Sequence, residues 1–297
     1  MLVELSGNYS YREAGNVFAW KRKGCLVTPA SLGASSPDKC RPAPECTASV
    51  PGPLAVDMDV AFVVDSSYGV GADVYRAALS LVDAMLGDLE VAAQPSTSPH
   101  GSRVALVMHT TPGFWPGAGQ PPVLEGFHLT SYGHRLQMQR HLREAAGGPL
   151  RGAPALGHAL EWTLEKVLLA APLPRRVQVL FPIVASETSA WDREKLRTLS
   201  LEAKCKGIAV FVLALGPGVG AHELAELTDV ASLPSEQHLL RLEGVSGPEV
   251  AYAQGFTRAF LNLLKSKHWG RSGWGGERNL PEPGIWESRH PLHPSPC

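Results

Sequence analysis

Four runs of apolar residues, with helix-patterned sequence between them, set the limits on what this chain can fold into. Val60-Ala-Phe-Val-Val64 is apolar at every position and ends at Asp65-Ser66-Ser67. Arg103-Val-Ala-Leu-Val-Met108, Arg176-Val-Gln-Val-Leu-Phe-Pro-Ile-Val184 and Gly207-Ile-Ala-Val-Phe-Val-Leu-Ala-Leu215 follow the same pattern. Runs without polar alternation suit strands buried on both faces, which is the setting of a parallel sheet. Between them, residues 72–90, 135–146, 155–169 and 192–204 repeat their apolar positions at helical spacing, and Asp192 stands where it can cap the last of these. Glu125–Leu129 reads as a short edge strand, 222–228 as a short helix, His238–Leu242 as a last strand and 248–266 as a closing helix. Strands separated by helices imply right-handed βαβ units. The expected fold is therefore α/β, a doubly wound and mostly parallel central sheet with helices on both faces, over residues 56–267. Pro182 sits awkwardly in this scheme, because proline gives up a ladder hydrogen bond.

The flanks read differently. Residues 1–55 carry Pro29, Pro37, Pro42, Pro44, Pro51 and Pro53, which forbid long regular elements, so this stretch is expected to be a largely irregular linker. Residues 268–297 are rich in Pro, Gly and Trp without periodicity and read as an irregular tail. Cys25, Cys40 and Cys46 fall in the first flank, where no core can bury them, and loop cysteines of that kind suggest disulfides and an oxidising compartment. The spacing of Cys40 and Cys46 is not that of a zinc knuckle. Cys205 is read as a buried free thiol, with a bridge as the alternative. The first 24 residues lack the basic start and apolar stretch of a secretory signal, so the chain is either cytoplasmic or a piece of a longer secreted one. Asn8-Tyr9-Ser10 is a glycosylation sequon of the kind that also arises by chance.

Composition removes several classes. The net charge is -1 and charged residues are 19%, which gives no pull toward nucleic acid or anionic lipid. With 44% hydrophobic residues the chain as a whole is not disordered. No apolar run of about 18 residues is present, so membrane insertion is not expected. Gly and Pro are frequent, yet no Gly-X-Y period supports a triple helix.

In an open α/β sheet, ligands sit beyond the carboxyl ends of the strands. Those ends carry Asp65, His109, Ala185 and Gly216, a thin set for catalysis. His109 stands where it can approach Asp65, though it reads first as a polar residue closing a strand. Asp57 and Asp59 precede their strand, the wrong end for a phosphotransferase pair. Gly216-Pro-Gly-Val-Gly220 is read as a strand-to-helix turn and not as a nucleotide loop. His290 and His293 lie in the tail without a third ligand. No nucleophile elbow or P-loop occurs, so no catalytic residue and no organic cofactor are expected. Phe114-Trp115 lies in a Gly/Pro loop and either anchors a partner or folds back on the domain.

An apolar strand ending in Asp-x-Ser, then a helix and a second buried strand, resembles the von Willebrand factor A domain. The resemblance covers about residues 57–266. Ala61-Phe-Val-Val-Asp-Ser-Ser67, Val179-Leu-Phe-Pro-Ile-Val-Ala-Ser-Glu-Thr188 and Glu202-Ala-Lys-Cys-Lys-Gly-Ile-Ala-Val-Phe-Val-Leu-Ala-Leu-Gly216 look most like the C-terminal A domains of the long collagen VI alpha chains, of alpha-4, alpha-5 and alpha-6 type. The Cys- and Pro-bearing stretch before the domain is similar to the joints between their A domains. The resemblance implies a secreted, non-enzymatic extracellular-matrix adhesion module whose partners are other collagen chains or matrix proteins. It also implies a metal-ion site, usually for Mg2+, built from Asp-x-Ser-x-Ser and from a Thr and an Asp at other strand ends. Asp65 and Ser67 match the first two ligand positions. Gly69, Pro154 and Ala185 stand at the other three and offer no side-chain oxygen. A shift of one or two residues brings Glu187 or Thr188 into play. The expectation is a degenerate site with no metal held, since Mg2+ demands a near-complete octahedron of oxygens.

Overall fold

The computed structural model describes residues 55–117 and 119–245, together with the residue pairs 12–13, 16–17, 21–22 and 25–26. The chain divides into two units, residues 1–52 and 53–297. In the first, Arg12–Glu13 pairs antiparallel with Asn16–Val17, and Lys21–Arg22 with Cys25–Leu26. These short ladders occupy part of the stretch that the prolines mark as linker.

The second unit is built on a 7-stranded sheet. Its elements in chain order are β1 (Met58–Asp65), α1 (Ala72–Asp88), β2 (Arg103–His109), β3 (Val123–Phe127), α2 (Arg135–Ala145), α3 (Leu156–Thr163), β4 (Val177–Val184), α4 (Arg193–Cys205), β5 (Ala209–Val210), β6 (Val212–Leu215), α5 (Ala221–Val230), α6 (Ser235–His238) and β7 (Leu239–Leu242). The strand order is β7-β6-β4-β1-β2-β3, with β5 also paired to β4. Every pairing is parallel except β2 with β3. This is the doubly wound α/β fold that the apolar runs predict.

β1 shows why such a strand must lie at the centre. All of its residues are buried. Val60, Phe62 and Val64 pack into one core with α1 and α2, whereas Ala61 and Val63 face a second core formed with α3, α4 and α5. Each fully buried Val, Leu or Phe contributes roughly 1.5–3 kcal/mol relative to exposure. A strand with two apolar faces collects that gain on both sides.

Pro182 stays inside the sheet for a local reason. Val210 pairs with Leu180 and Leu213 with Ile183, so the interruption between β5 and β6 falls opposite Phe181 and Pro182. The donor that proline lacks is therefore missing where the ladder is already broken. α3 also ends earlier than its periodicity predicts: the helix passes at Leu164–Leu168 into a π-turn. Cys205, at the end of α4, is exposed and disulfide-bonded, which corrects the reading of it as a buried free thiol. The expected helix over 248–266, the sequon, Cys40, Cys46, Cys297, the His290/His293 pair and the tail lie outside the described residues.

Candidate ligand face at the strand ends

The register brings the carboxyl ends of three strands together. Asp65 pairs with His109 across β1 and β2, and Val64 with Ile183 across β1 and β4. Residues 185–186 therefore emerge beside Asp65. The carboxylate of Asp65 is buried and accepts three hydrogen bonds from the protein. Oδ1 accepts the Ser67 N–H at 3.0 Å. Oδ2 accepts the Ala185 N–H at 3.0 Å and the Ser186 hydroxyl at 2.7 Å. Ser186 spends its one proton on Asp65, so the 2.9 Å contact between Ser67 Oγ and Ser186 Oγ is donated by Ser67. The three side chains form a chain of hydroxyls that ends on the carboxylate.

His109 stands close by, as the sequence allows. Its Nε2 is 3.7 Å from Asp65 Oδ1, beyond hydrogen-bond distance, and Nδ1 meets Thr110 Oγ1 at 3.1 Å. Among the described residues, His109 Nε2 and Ser66 Oγ are buried without a hydrogen-bond partner. Burial holds the His109 pKa below the ordinary histidine value, against the opposing pull of the Asp65 and Asp192 charges.

The other motif positions are placed as follows. Gly69 lies against Ser186, and a Cβ there would come 3.2 Å from the Ser186 Cβ. Pro154 is buried and presents its carbonyl to the Ser189 N–H at 3.4 Å. Ala185 is buried and contributes its backbone N–H. Glu187 is exposed and its Oε1 lies beside Gly220, at the start of α5. Thr188 is buried and donates to Glu223 Oε1 on α5 at 2.6 Å. Burial raises the Glu223 pKa, with the Thr188 hydrogen bond opposing it. Glu187 and Thr188 thus lean on α5. Among the described residues no group of three or more His, Cys, Asp or Glu side chains converges as a metal site.

Asp192 and His158, which no local pattern joins, complete the face. Asp192 carries no cap on its own helix, correcting the expectation for α4. Its carboxylate instead accepts the Gly157 N–H at 2.5 Å and the His158 N–H at 3.2 Å, capping α3. It also holds His158 Nδ1. Gly157 is required for this approach, because a Cβ there would fall 2.7 Å from Leu196 N. Gly152 is equally constrained: its N–H donates to Thr110 O at 3.1 Å, its carbonyl accepts the Tyr68 N–H at 2.9 Å, and a Cβ would strike the Thr110 carbonyl oxygen.

Around these buried groups the loops expose large rings. Tyr68 is 67% exposed, Trp115 62% and Trp191 39%. Phe114 folds back, almost buried, against His158 at a ring separation of 5.6 Å. The two residues of Phe114-Trp115 therefore divide the alternatives that the sequence leaves open, one turned in and one turned out.

The von Willebrand factor type A domain family matches residues 59–247. The chain is 72% identical over 229 residues to the mouse collagen alpha-4(VI) chain, a match covering 77% of this chain and 10% of that protein. It is 39% identical over 228 residues to the human collagen alpha-6(VI) chain, covering 77% of this chain and 10% of that one. It is 36% identical over 208 residues to the human collagen alpha-5(VI) chain, covering 70% and 8%. The chain thus spans about a tenth of the length of these relatives. Proximal thread matrix protein 1 from the mussel byssus superposes with a TM-score of 0.52 at 16% identity, covering 71% of this chain and 47% of that one. Manganese-loaded Plasmodium vivax TRAP superposes with a TM-score of 0.51 at 12% identity, covering 69% and 73%. At those identities the two structures speak for the fold.

Proposed function

The chain belongs to the von Willebrand factor type A family, its domain closely related to those of the collagen VI alpha-4, alpha-5 and alpha-6 chains, and from that premise we propose a matrix-contact module that binds without a metal ion. The collagen VI A domains are non-enzymatic. The similarity to collagen VI chains supports an extracellular-matrix setting and partners among collagen chains or other matrix proteins. It is compatible with the disulfide at Cys205, since such bonds persist in oxidising compartments. Among the described residues no helix is long and apolar enough to cross a membrane.

One observation carries the metal-free part of the reading. Asp65, the carboxylate that an ion would need, already accepts three donors, from Ser67, Ala185 and Ser186, spread over both of its oxygens. An incoming Mg2+ would have to compete with these donors and find an octahedron of oxygens. Gly69, Pro154 and Ala185 supply no side-chain oxygen toward it, and Glu187 and Thr188 are turned to α5. This donor set does not fit Mg2+. Ser186 instead takes the place of a bridging group, tying the loop after β4 to the loop after β1. Contact with partners then falls to the side chains that the face exposes.

The test is adhesion to collagen VI microfibrils and purified matrix proteins with millimolar Mg2+ and with EDTA. The expected outcome is equal binding in both. Binding lost in EDTA and restored by Mg2+ or Mn2+ would overturn the proposal and return the ion to the centre of the mechanism.

A further inference from the structure

Trp115 and Trp191 come from different loops, after β2 and after β4, yet their ring centroids are 5.7 Å apart at an interplanar angle of 49°. Trp191 also meets His158 at 5.4 Å, which in turn meets Phe114 at 5.6 Å. The result is a continuous row of rings, open to solvent at its Trp115 end. Beside it lies a cleft of about 660 Å³, walled by Phe114, Pro121 and Pro122 on one side and by Trp162 and His158 of α3 on the other. Its charged lining is Glu161, Glu165 and Lys195.

Resting on the metal-free reading above, we propose that this row and cleft receive an arginine or lysine side chain presented on an extended segment of a partner protein. Indole faces attract cations, and a guanidinium also stacks on them. The charge balance points the same way. Lys195 is bound to both oxygens of Glu161, at 2.7 and 2.8 Å. Glu165 is exposed and has no ion pair among the described residues, so the cleft offers an unspent carboxylate. An acidic segment would meet Glu165 without compensation. A wholly apolar one would strip water from Glu165 and from the Glu161–Lys195 pair without replacing it.

The experiment is isothermal titration of the full chain with the peptide acetyl-Pro-Pro-Arg-Pro-Pro-amide and its counterparts with Gln or Glu at the centre. Proline keeps the probe extended. The Arg peptide is expected to bind about tenfold tighter than the Gln peptide, in line with a cation–π contact and one added charge contact. Trp191→Ala, checked for an unchanged thermal midpoint, should erase that preference. Glu165→Lys, at an exposed site, should reverse it toward the Glu peptide. Equal binding of the Arg and Gln peptides, no binding to the wild-type chain, or a preference untouched by Glu165→Lys would overturn the proposal. Matrix adhesion in EDTA, measured on the same preparations, separates the two readings. Adhesion that persists while the peptides fail removes this cleft and leaves the metal-free module standing. Adhesion lost in EDTA removes the metal-free module whatever the peptides do.

Discussion

Asp59 and Asp65 stand at opposite ends of β1, both buried, and they are treated in different ways. At the amino end, Asp59 meets a permanent cation. Arg103, its cross-strand neighbour, grips it through Nε at 2.6 Å and Nη2 at 2.8 Å, and the Arg175 N–H adds a contact at 2.9 Å. The remaining guanidinium donors are spent on Pro172 O at 2.6 Å, Pro95 O at 3.2 Å and Leu173 O at 3.3 Å. At the carboxyl end, Asp65 meets hydroxyls, backbone N–H groups and an imidazole held below its ordinary pKa. The first aspartate is paired with an opposite charge and the second is held by hydrogen bonds. The same strand thus carries a structural pole and a pole where the fold family puts its ligand. Only the structural pole is built around a full opposite charge.

The sharpest way to break this contrast is Arg103→Ala. It leaves Asp59 buried and unpaired, and the expected loss is about 3–5 kcal/mol in urea unfolding. Ser186→Ala removes one donor from Asp65 and one acceptor from Ser67, with an expected loss of about 1–3 kcal/mol by the same measurement. A loss at Ser186 as large as that at Arg103 would mean that the two poles are equally structural.

A smaller effect separates the poles by pH. The unfolded chain takes up a proton near pH 6.5 that buried His109 resists, so stability is full above 6.5 and falls as pH drops below it. His238, also lowered by burial, adds to that trend. Glu223 acts in the opposite sense. Its raised pKa gives stability below 4.5 that is lost as pH rises through the folded value. His109→Gln should therefore flatten the decline in stability between pH 7 and 5, whereas Arg103→Ala should leave that slope in place. The smallest expected effect is none. Adding millimolar Mg2+ or Mn2+, or EDTA, should leave the thermal midpoint of the full chain unchanged. An ion that binds only the folded state would raise it by mass action.

Particular residues explain what the sequence made legible. β1, β2 and β4 announce themselves because strands buried on two faces leave no room for polar alternation. Asp65 and Ser67 were legible because their motif is local to one turn. Ser186 was missed because its role depends on the register of β4 against β1, which no local pattern encodes. The signal was present in a weaker form: aligning the ends of the two apolar runs sets Ala185-Ser186 beside Asp65. Asp192 was assigned to the wrong helix for a related reason, since a cap supplied across a helix pair is a tertiary contact. Cys205 misled the reading on both counts, since the residue is exposed and its bond required knowing what stands opposite. The Phe211 interruption, which makes Pro182 tolerable, appears only once both strands are in place.

Gly152 and Gly157 carry a consequence for how such a face can change over generations. Both are fixed by backbone packed against backbone, at Thr110 and at Leu196. The route of the loops is therefore held independently of the side chains that they display. The side chains of the face can thus change without redrawing its outline. Inherited variants should then sort into two kinds. Those at the two glycines deform the scaffold itself, and those at Tyr68, Trp115 or Trp191 leave the scaffold whole and alter whom it meets.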